Sequence, residues 1–230
     1  MGDGQLYKVL VDGKSCHGGD LAWSLPEGDK PGEWHDVTGD LVVCRVGLHL
    51  TDDPARWWRP GCTVYLAEAR GKALGSCDTS EDRKVCVRGA RLLRAATPDE
   101  LAALRIYTSG VHTVTDGRAV ASGSASVEAY DSASVVASGS ASVRAYDSAS
   151  VVASGSASVE AYGSASVVAS GSASVRAYDS ASVRAYDDVT VISWRGKPGA
   201  RMVDRVVWID RSGSVPVVYT AGNGGDDGAK

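Results

Sequence analysis

The chain contains no Phe and only two Met. Its hydrophobic residues, 43% of the total, are dominated by Ala and Val. A core built from such small side chains needs closely spaced backbone, which stacked repeats provide. No run of about 18 apolar residues is present, so no membrane span is expected. Met1–Val11 lacks the apolar core of a signal peptide, and a cytoplasmic location is the expectation. The net charge of −4 argues against a nucleic-acid surface, because phosphate binding relies on clustered Lys and Arg. Cysteines are few and odd in number: Cys16, Cys44, Cys62, Cys77 and Cys86. In a reducing compartment they are expected as free thiols, with no disulfide framework.

What the chain does have is a repeat. From residue 118 to 189 two octads alternate. One reads Ser-Val-x-Ala-Tyr-Asp-Ser-Ala, as at 126–133, and the other Ser-Val-Val-Ala-Ser-Gly-Ser-Ala, as at 134–141. Strand side chains alternate between faces. Taken in register from Gly110, the second residues run Val111, Ala119, Val127 and onward to Val191, and the fourth run Thr113, Ala121, Ala129 and onward to Ser193. Positions two, four and eight then point inward as Val, Ala and Ala. The opposite assignment would bury Glu128, Arg144, Glu160 and Arg176, at much greater cost. Position six is Asp or Gly, which a tight corner tolerates.

The pattern predicts a parallel β-solenoid with one octad per face. Two octads per coil place residues sixteen apart above one another, about 4.8 Å away. Position three of one face then reads Glu128, Arg144, Glu160, Arg176, so each charge sits between opposite charges. Position five reads Tyr130, Tyr146, Tyr162, Tyr178, Trp194, an unbroken aromatic row. The other face carries Val120, Val136, Val152 and Val168, then Arg184. Beside these lie Ser122, Ser138, Ser154 and Ser170, then Tyr186. A three-octad coil would stack Tyr130 on Ser154 and Glu128 on Val152. Like-on-like aromatic rows and alternating charge therefore favour sixteen residues per coil.

The flat, uncharged Val/Ser strip is the candidate binding surface. Its residues are Val120, Val136, Val152, Val168, Ser122, Ser138, Ser154 and Ser170. The expected occupant is an unknown protein partner or a second copy of the chain. The corner row Asp131, Asp147, Asp179 and Asp187 is interrupted by Gly163 and has no second acidic ligand, so no metal is expected there.

The flanks are ordinary in composition. Strands are expected at Gln5–Val11, Asp40–Val46, Thr63–Glu68, Lys84–Val87 and Gly89–Arg94. A turn is expected at Asp12-Gly13, a loop at Pro26–Gly32, and a short helix from Pro54 carrying Trp57 and Trp58, capped by Asp52 or Asp53. With Phe absent, Trp23, Trp34, Trp57 and Trp58 are expected mainly as core. Thr97-Pro98-Asp99-Glu100 is a capping box that opens a helix, with Leu101 and Leu104 as an apolar stripe to pack on the open end of the stack. Arg201–Asp210 and Val215–Thr220 read as a hairpin that covers the far end, with Trp208 as its plug. The expected organisation is mainly β: a small β-rich (α+β) domain at 1–96, a linking helix at 97–109, the solenoid at 110–197, a hairpin cap at 198–220 and a disordered tail at 221–230.

Leu41-Val-Val-Cys44-Arg-Val-Gly47-Leu-His49, followed by Asp52-Asp53-Pro54 and Trp57, resembles an uncharacterised domain found in many phage-encoded proteins, which carries a Cys-x-x-Gly-[aromatic or Leu]-His core. Tyr7-Lys-Val and Arg83–Leu93 fit the same pattern, so the resemblance covers roughly residues 5–96. It implies a phage or prophage source, hence a host-cell cytoplasm, and brings no catalytic residue with it. That domain is often followed by short Ala/Ser/Gly repeats.

Three chemistries can be weighed in this segment. A metal site of Cys16, His17, Cys44 and His49 lacks a standard zinc spacing, and adjacent Cys and His diverge in extended chain. Cys16 or Cys44 with His17 or His49 could form a nucleophile–base pair, although a Cys beside a strand more often fills a core. Gly47-Leu48-His49-Leu50-Thr51 is also similar to the His-bearing strand of small ADP-ribosyltransferase-like folds, with Glu68 or Glu81 as the acid such sites need. The leading expectation is a non-enzymatic structural or binding protein without cofactor or metal. The alternative is a small effector enzyme using Cys44 and His49.

Overall fold

The computed structural model describes residues 4–16, 20–42, 45–74, 84–194 and 201–220. The fold is mainly β, with 50% strand and 5% helix. The chain divides into two compact units, Met1–Leu104 and Arg105–Lys230.

The first unit contains strands β1 (Leu6–Val11), β2 (Lys14–Ser15), β3 (His35–Asp36), β4 (Leu48–Thr51), β5 (Thr63–Leu74) and β6 (Lys84–Ala95). All their pairings are antiparallel. β1 pairs with β4, β4 with β6, β6 with β5 and β5 back with β1, so four strands close on themselves. Leu10, Trp23, Leu48, Leu50, Val87 and Leu92 fill the centre. The two strands expected at Lys84–Val87 and Gly89–Arg94 are one, β6, which runs through Arg88 although its pairing with β5 shifts register between Arg70 and Ala73. Asp40–Val46 forms no strand among its described residues. It folds back on itself through an isolated Val42↔Val46 bridge, and residues 43 and 44 lie outside the described set. The helix at Pro54–Arg56 is a single 3₁₀ turn, and Asp53 at its start makes no side-chain cap.

Helix α1 (Pro98–Ala103) begins as its sequence dictates. Glu100 N–H donates to Thr97 Oγ1 at 3.3 Å, and Thr97 N–H donates to Glu100 Oε2 at 2.8 Å. Arg94 holds the same carboxylate at 2.6 and 2.7 Å. That arginine, together with the Thr97 N–H, pulls the Glu100 carboxyl down to about 2. The helix stops short of Ile106 because Arg105 takes a left-handed conformation, φ 58°, and none of its six residues is buried.

The second unit is a β-solenoid of about 6 turns, 16 residues per turn, between residues 106 and 210. Its strands are β7 (Ile106–Tyr107), β8 (Val111–Val114), β9 (Arg118–Ala121), β10 (Ser126–Ala129), β11 (Ser134–Ala137), β12 (Ser142–Ala145) and β13 (Ser150–Ala153). They continue as β14 (Ser158–Ala161), β15 (Ser166–Ala169), β16 (Ser174–Ala177), β17 (Ser182–Ala185), β18 (Thr190–Ser193), β19 (Arg201–Met202), β20 (Val207–Asp210) and β21 (Val217–Thr220). Odd-numbered strands β7 to β19 form one parallel sheet. The even-numbered strands β8 to β20 form the other, and β21 adds to it antiparallel.

The inward rows are as the octad pattern requires. Val127, Val135, Val143, Val151, Val159 and Val167 are fully buried, as are the Ala residues at positions four and eight between them. Corners turn through left-handed residues, for example Asp131 at φ 50° and Gly163 at φ 63°. The corner carboxylates are occupied by backbone: Asp179 accepts from Gly163 N–H at 3.3 Å and Asp187 from Gly171 N–H at 2.9 Å. Corner serines donate downward one coil, as Ser148 does to the Asp131 carbonyl at 2.7 Å.

The charged face is a ladder. Arg144 lies 3.6 Å from Glu128 and 3.2 Å from Glu160, and Arg176 lies 3.3 Å from Glu160. Beside it Tyr130, Tyr146, Tyr162, Tyr178 and Trp194 stack at 4.6 to 5.0 Å between ring centroids. The Tyr130 and Tyr162 hydroxyls donate to Glu128 and Glu160. Burial, and after it the neighbouring Glu160 charge, push the Tyr162 phenol up to about 12.

The sixteen-residue period slips at each end: by two residues between β7 and β9, where Ile106 pairs with Val120, and by one between β8 and β10 and at the C-terminal end. Val127 pairs with His112, not Val111. Val111 is therefore 76% exposed, and Val114 takes the buried place expected of Thr113. The cause is a corner one residue shorter than the repeat. His112 stacks on Tyr107 at 3.9 Å, an aromatic pair where later coils carry aliphatic side chains. At the other end Val191 pairs with Trp208, one residue beyond the period. Trp208 is fully buried and donates to Ser193 Oγ at 2.9 Å. Arg201–Asp210 is thus not one hairpin arm: β19 and β20 belong to opposite sheets, and the terminal strand pair is β20 with β21.

Because between β10 and β17 the two sheets meet over Val and Ala, added volume there has nowhere to go. Ala153→Leu is expected to destabilise the solenoid by about 1–3 kcal/mol, read from the urea midpoint by circular dichroism.

Candidate functional site

Two regions hold the side chains that the sequence singles out. The first is a cavity of about 500 Å³ in the first unit, lined by Lys8, Arg45, His49, Lys84, Trp23 and Trp57 among others. His49 sits on β4 opposite Cys86 of β6. Gly47 makes that approach possible: at φ 144° it has no Cβ, and one there would overlap the Cys86 sulfur. Burial, then the neighbouring Lys8 and Lys84 charges, depress the His49 imidazole below its ordinary value.

Lys8 is 8% exposed. Its ammonium donates to the His49 carbonyl at 3.0 Å and to Ser15 Oγ at 3.5 Å, and lies 5.1 Å from the centre of the Trp23 ring. Burial brings its pKa down to about 8. Lys84 stands 4.0 Å from the centre of the Trp57 ring. No Asp or Glu lines the cavity among the described residues.

Cys16 lines the cavity as well. Its thiol donates to the Trp57 carbonyl at 3.5 Å, and burial, with Cys62 beside it, pushes it up to about 11. It is therefore a thiol at neutral pH and a poor nucleophile. Cys44, His17 and Glu81 lie outside the described residues. Among the described residues no group of three His, Cys, Asp or Glu could hold a metal ion. Glu68 pairs with Arg91 at 2.7 Å and does not line the cavity. The sequence brings His49 and Cys16 to one place as weighed, but the Lys8, Arg45 and Lys84 set was missed. Its signal was a Lys in the middle of an otherwise apolar strand, Leu6–Val11.

The tryptophans divide. Trp23 and Trp58 are core. Trp34 and Trp57 carry cations on their faces, Trp34 with Arg70 at 4.2 Å and Arg91 at 4.8 Å.

The second region is the Val/Ser strip. Val120 is 2% and Ser122 5% exposed, so neither is available to a partner. Ser138 is also buried; Ser138 and Ser154 hydroxyls lie 3.5 Å from the Ala121 and Ala137 carbonyls of the preceding coil. These serines satisfy backbone, as does the row's geometry. Ser170, Val136 and Val168 are half-buried, and Val152 is 46% exposed. Val168 pairs with Arg184, where the apolar strip ends. The accessible strip therefore spans Val136 to Val168, narrower than the 120–170 expected from the repeat.

No helix among the described residues is long and apolar enough to cross a membrane. No family model, curated protein or solved structure matches the chain.

Folded Lys8 loses its proton near pH 8, whereas the unfolded side chain keeps it to about 10.5. Between those values the unfolded chain binds more protons, so Lys8 makes stability rise with pH across that window. Lys8→Met is expected to melt at higher temperature than wild type at pH 7, with the gap closing from about pH 8 to 10.5. A gap independent of pH would show that the buried ammonium is not the source.

Proposed function

We propose that the protein is a non-enzymatic structural and binding protein, in which the solenoid is a rigid interaction element. Phage or prophage origin, and work inside the host cell, belong to the same reading. The observation that carries it is the contrast between the two solenoid faces. One face neutralises its own charge through the Glu/Arg ladder and covers itself with stacked rings. The other leaves Val136, Val152 and Val168 in an uncharged row with serine neighbours. Such a row suits a surface of the same kind, and a second copy of the chain provides one through a two-fold contact.

A second reading is a small effector enzyme of ADP-ribosyltransferase-like or Cys/His type. Its supporting observation is that His49 and Cys16 share a cavity. The raised Cys16 thiol and a cavity lining without a carboxylate favour binding over turnover. Loss of a measured activity in His49→Ala with the fold intact would move the choice to this reading.

The leading reading is tested by sedimentation. Wild type is expected to self-associate as concentration rises, and Val136→Glu/Val152→Glu to stay monomeric with an unchanged circular dichroism spectrum. A wild type that remains monomeric at high concentration removes self-association.

A further inference from the structure

We propose that the cavity of the first unit binds a small organic phosphate of the size and charge of a nucleoside diphosphate. The inference concerns the first unit alone and does not rest on self-association of the solenoid.

The starting point is unbalanced charge. Lys8, Arg45 and Lys84 line one cavity, and none of them makes a salt bridge with a carboxylate among the described residues. Lys8 is the sharpest case. A Lys this deeply buried normally meets a carboxylate. Here its partners are a carbonyl, a hydroxyl and an indole face, all neutral. Other cations of the same unit are matched: Arg70 with Asp36, Arg91 with Glu68 and Arg94 with Glu100. Two of the cavity cations are held in place by other means, since Trp23 and Trp57 hold Lys8 and Lys84 through their ring faces. Cations that are positioned but not neutralised make a preorganised anion site.

The number of charges selects the anion. A lone carboxylate would leave most of the positive charge unmet. A diphosphate presents several oxygens and more than one negative charge, and Arg and Lys are the residues that bind it best. Size selects an organic ligand. A cavity of about 500 Å³ falls in the usual range for small-molecule sites, about 300–1,000 Å³. That is larger than a bare phosphate needs, and Leu21, Trp23 and Trp57 supply apolar wall for the remainder. His49, kept neutral by its burial, adds a hydrogen-bonding ring without adding charge.

The test is isothermal titration calorimetry of the full chain at low ionic strength with ADP, UDP, sodium pyrophosphate and adenosine. At least one nucleotide is expected to bind, pyrophosphate to bind more weakly and adenosine to give no signal. Arg45→Gln/Lys84→Gln should weaken nucleotide binding by about tenfold or more, as loss of charge-assisted hydrogen bonds does. Arg45 is exposed and Lys84 half-buried without a carboxylate partner among the described residues, so the variant's melting temperature should match wild type. Lys72→Gln, an exposed lysine of β5, is the control for diffuse charge and should stay within about twofold. The proposal fails if no phosphate probe binds wild type, if the double variant binds equally well, or if the control loses as much. Pyrophosphate binding as tightly as either nucleotide would overturn the organic part of the assignment.

Discussion

The close approach of two parallel sheets over Val and Ala governs the second unit. With only small side chains between the sheets from β10 to β17, each of these coils must keep its backbone in register with the next, because no large residue can bridge an error there. Everything else follows from holding that register. The corners must turn in left-handed conformation, so they hold Asp or Gly. Ser hydroxyls and corner carboxylates then take up backbone groups that a tight corner would otherwise leave short of partners. The exposed ion pairs add little stability individually. Their contribution is to bias each coil toward one neighbour.

The first unit solves the opposite problem. It has no repeat to lean on, so it closes four strands on themselves and packs Trp and Leu inside. Close packing there depends on a residue that is absent in side-chain terms: Gly47 lets β4 sit against the Cys86 sulfur. Its sheet also bears the cost of a buried ammonium at Lys8, which is an unusual choice for a small domain and one that points to a role beyond packing.

The legibility of the sequence varied with periodicity. The solenoid, its sixteen-residue coil, its inward rows and its aromatic and charged ladders follow from octads whose spacing equals that of strand and corner. The capping box at Thr97 was readable because its two hydrogen bonds are local. The register slips at His112 and Trp208 were not, because each depends on a corner or connection of different length that the octad count passes over. Burial of Val120 and Ser122 was invisible for a similar reason: the repeat says which face a residue is on, but not whether that face is covered. The cavity cations come from β1, β6 and the turn before β4, so their meeting depends on antiparallel pairings that no local pattern encodes.

The alternation of Glu128, Arg144, Glu160 and Arg176 has a consequence for how such a chain can change length. One coil is sixteen residues, but the charge pattern repeats only after two coils. Deleting the coil of Arg144 or of Glu160, or duplicating any one of the four, would set Glu on Glu or Arg on Arg, although every Val, Ala and Tyr still matched. Copying two coils together restores every contact. Within this ladder, therefore, length can change without a like-charge contact only in steps of a coil pair.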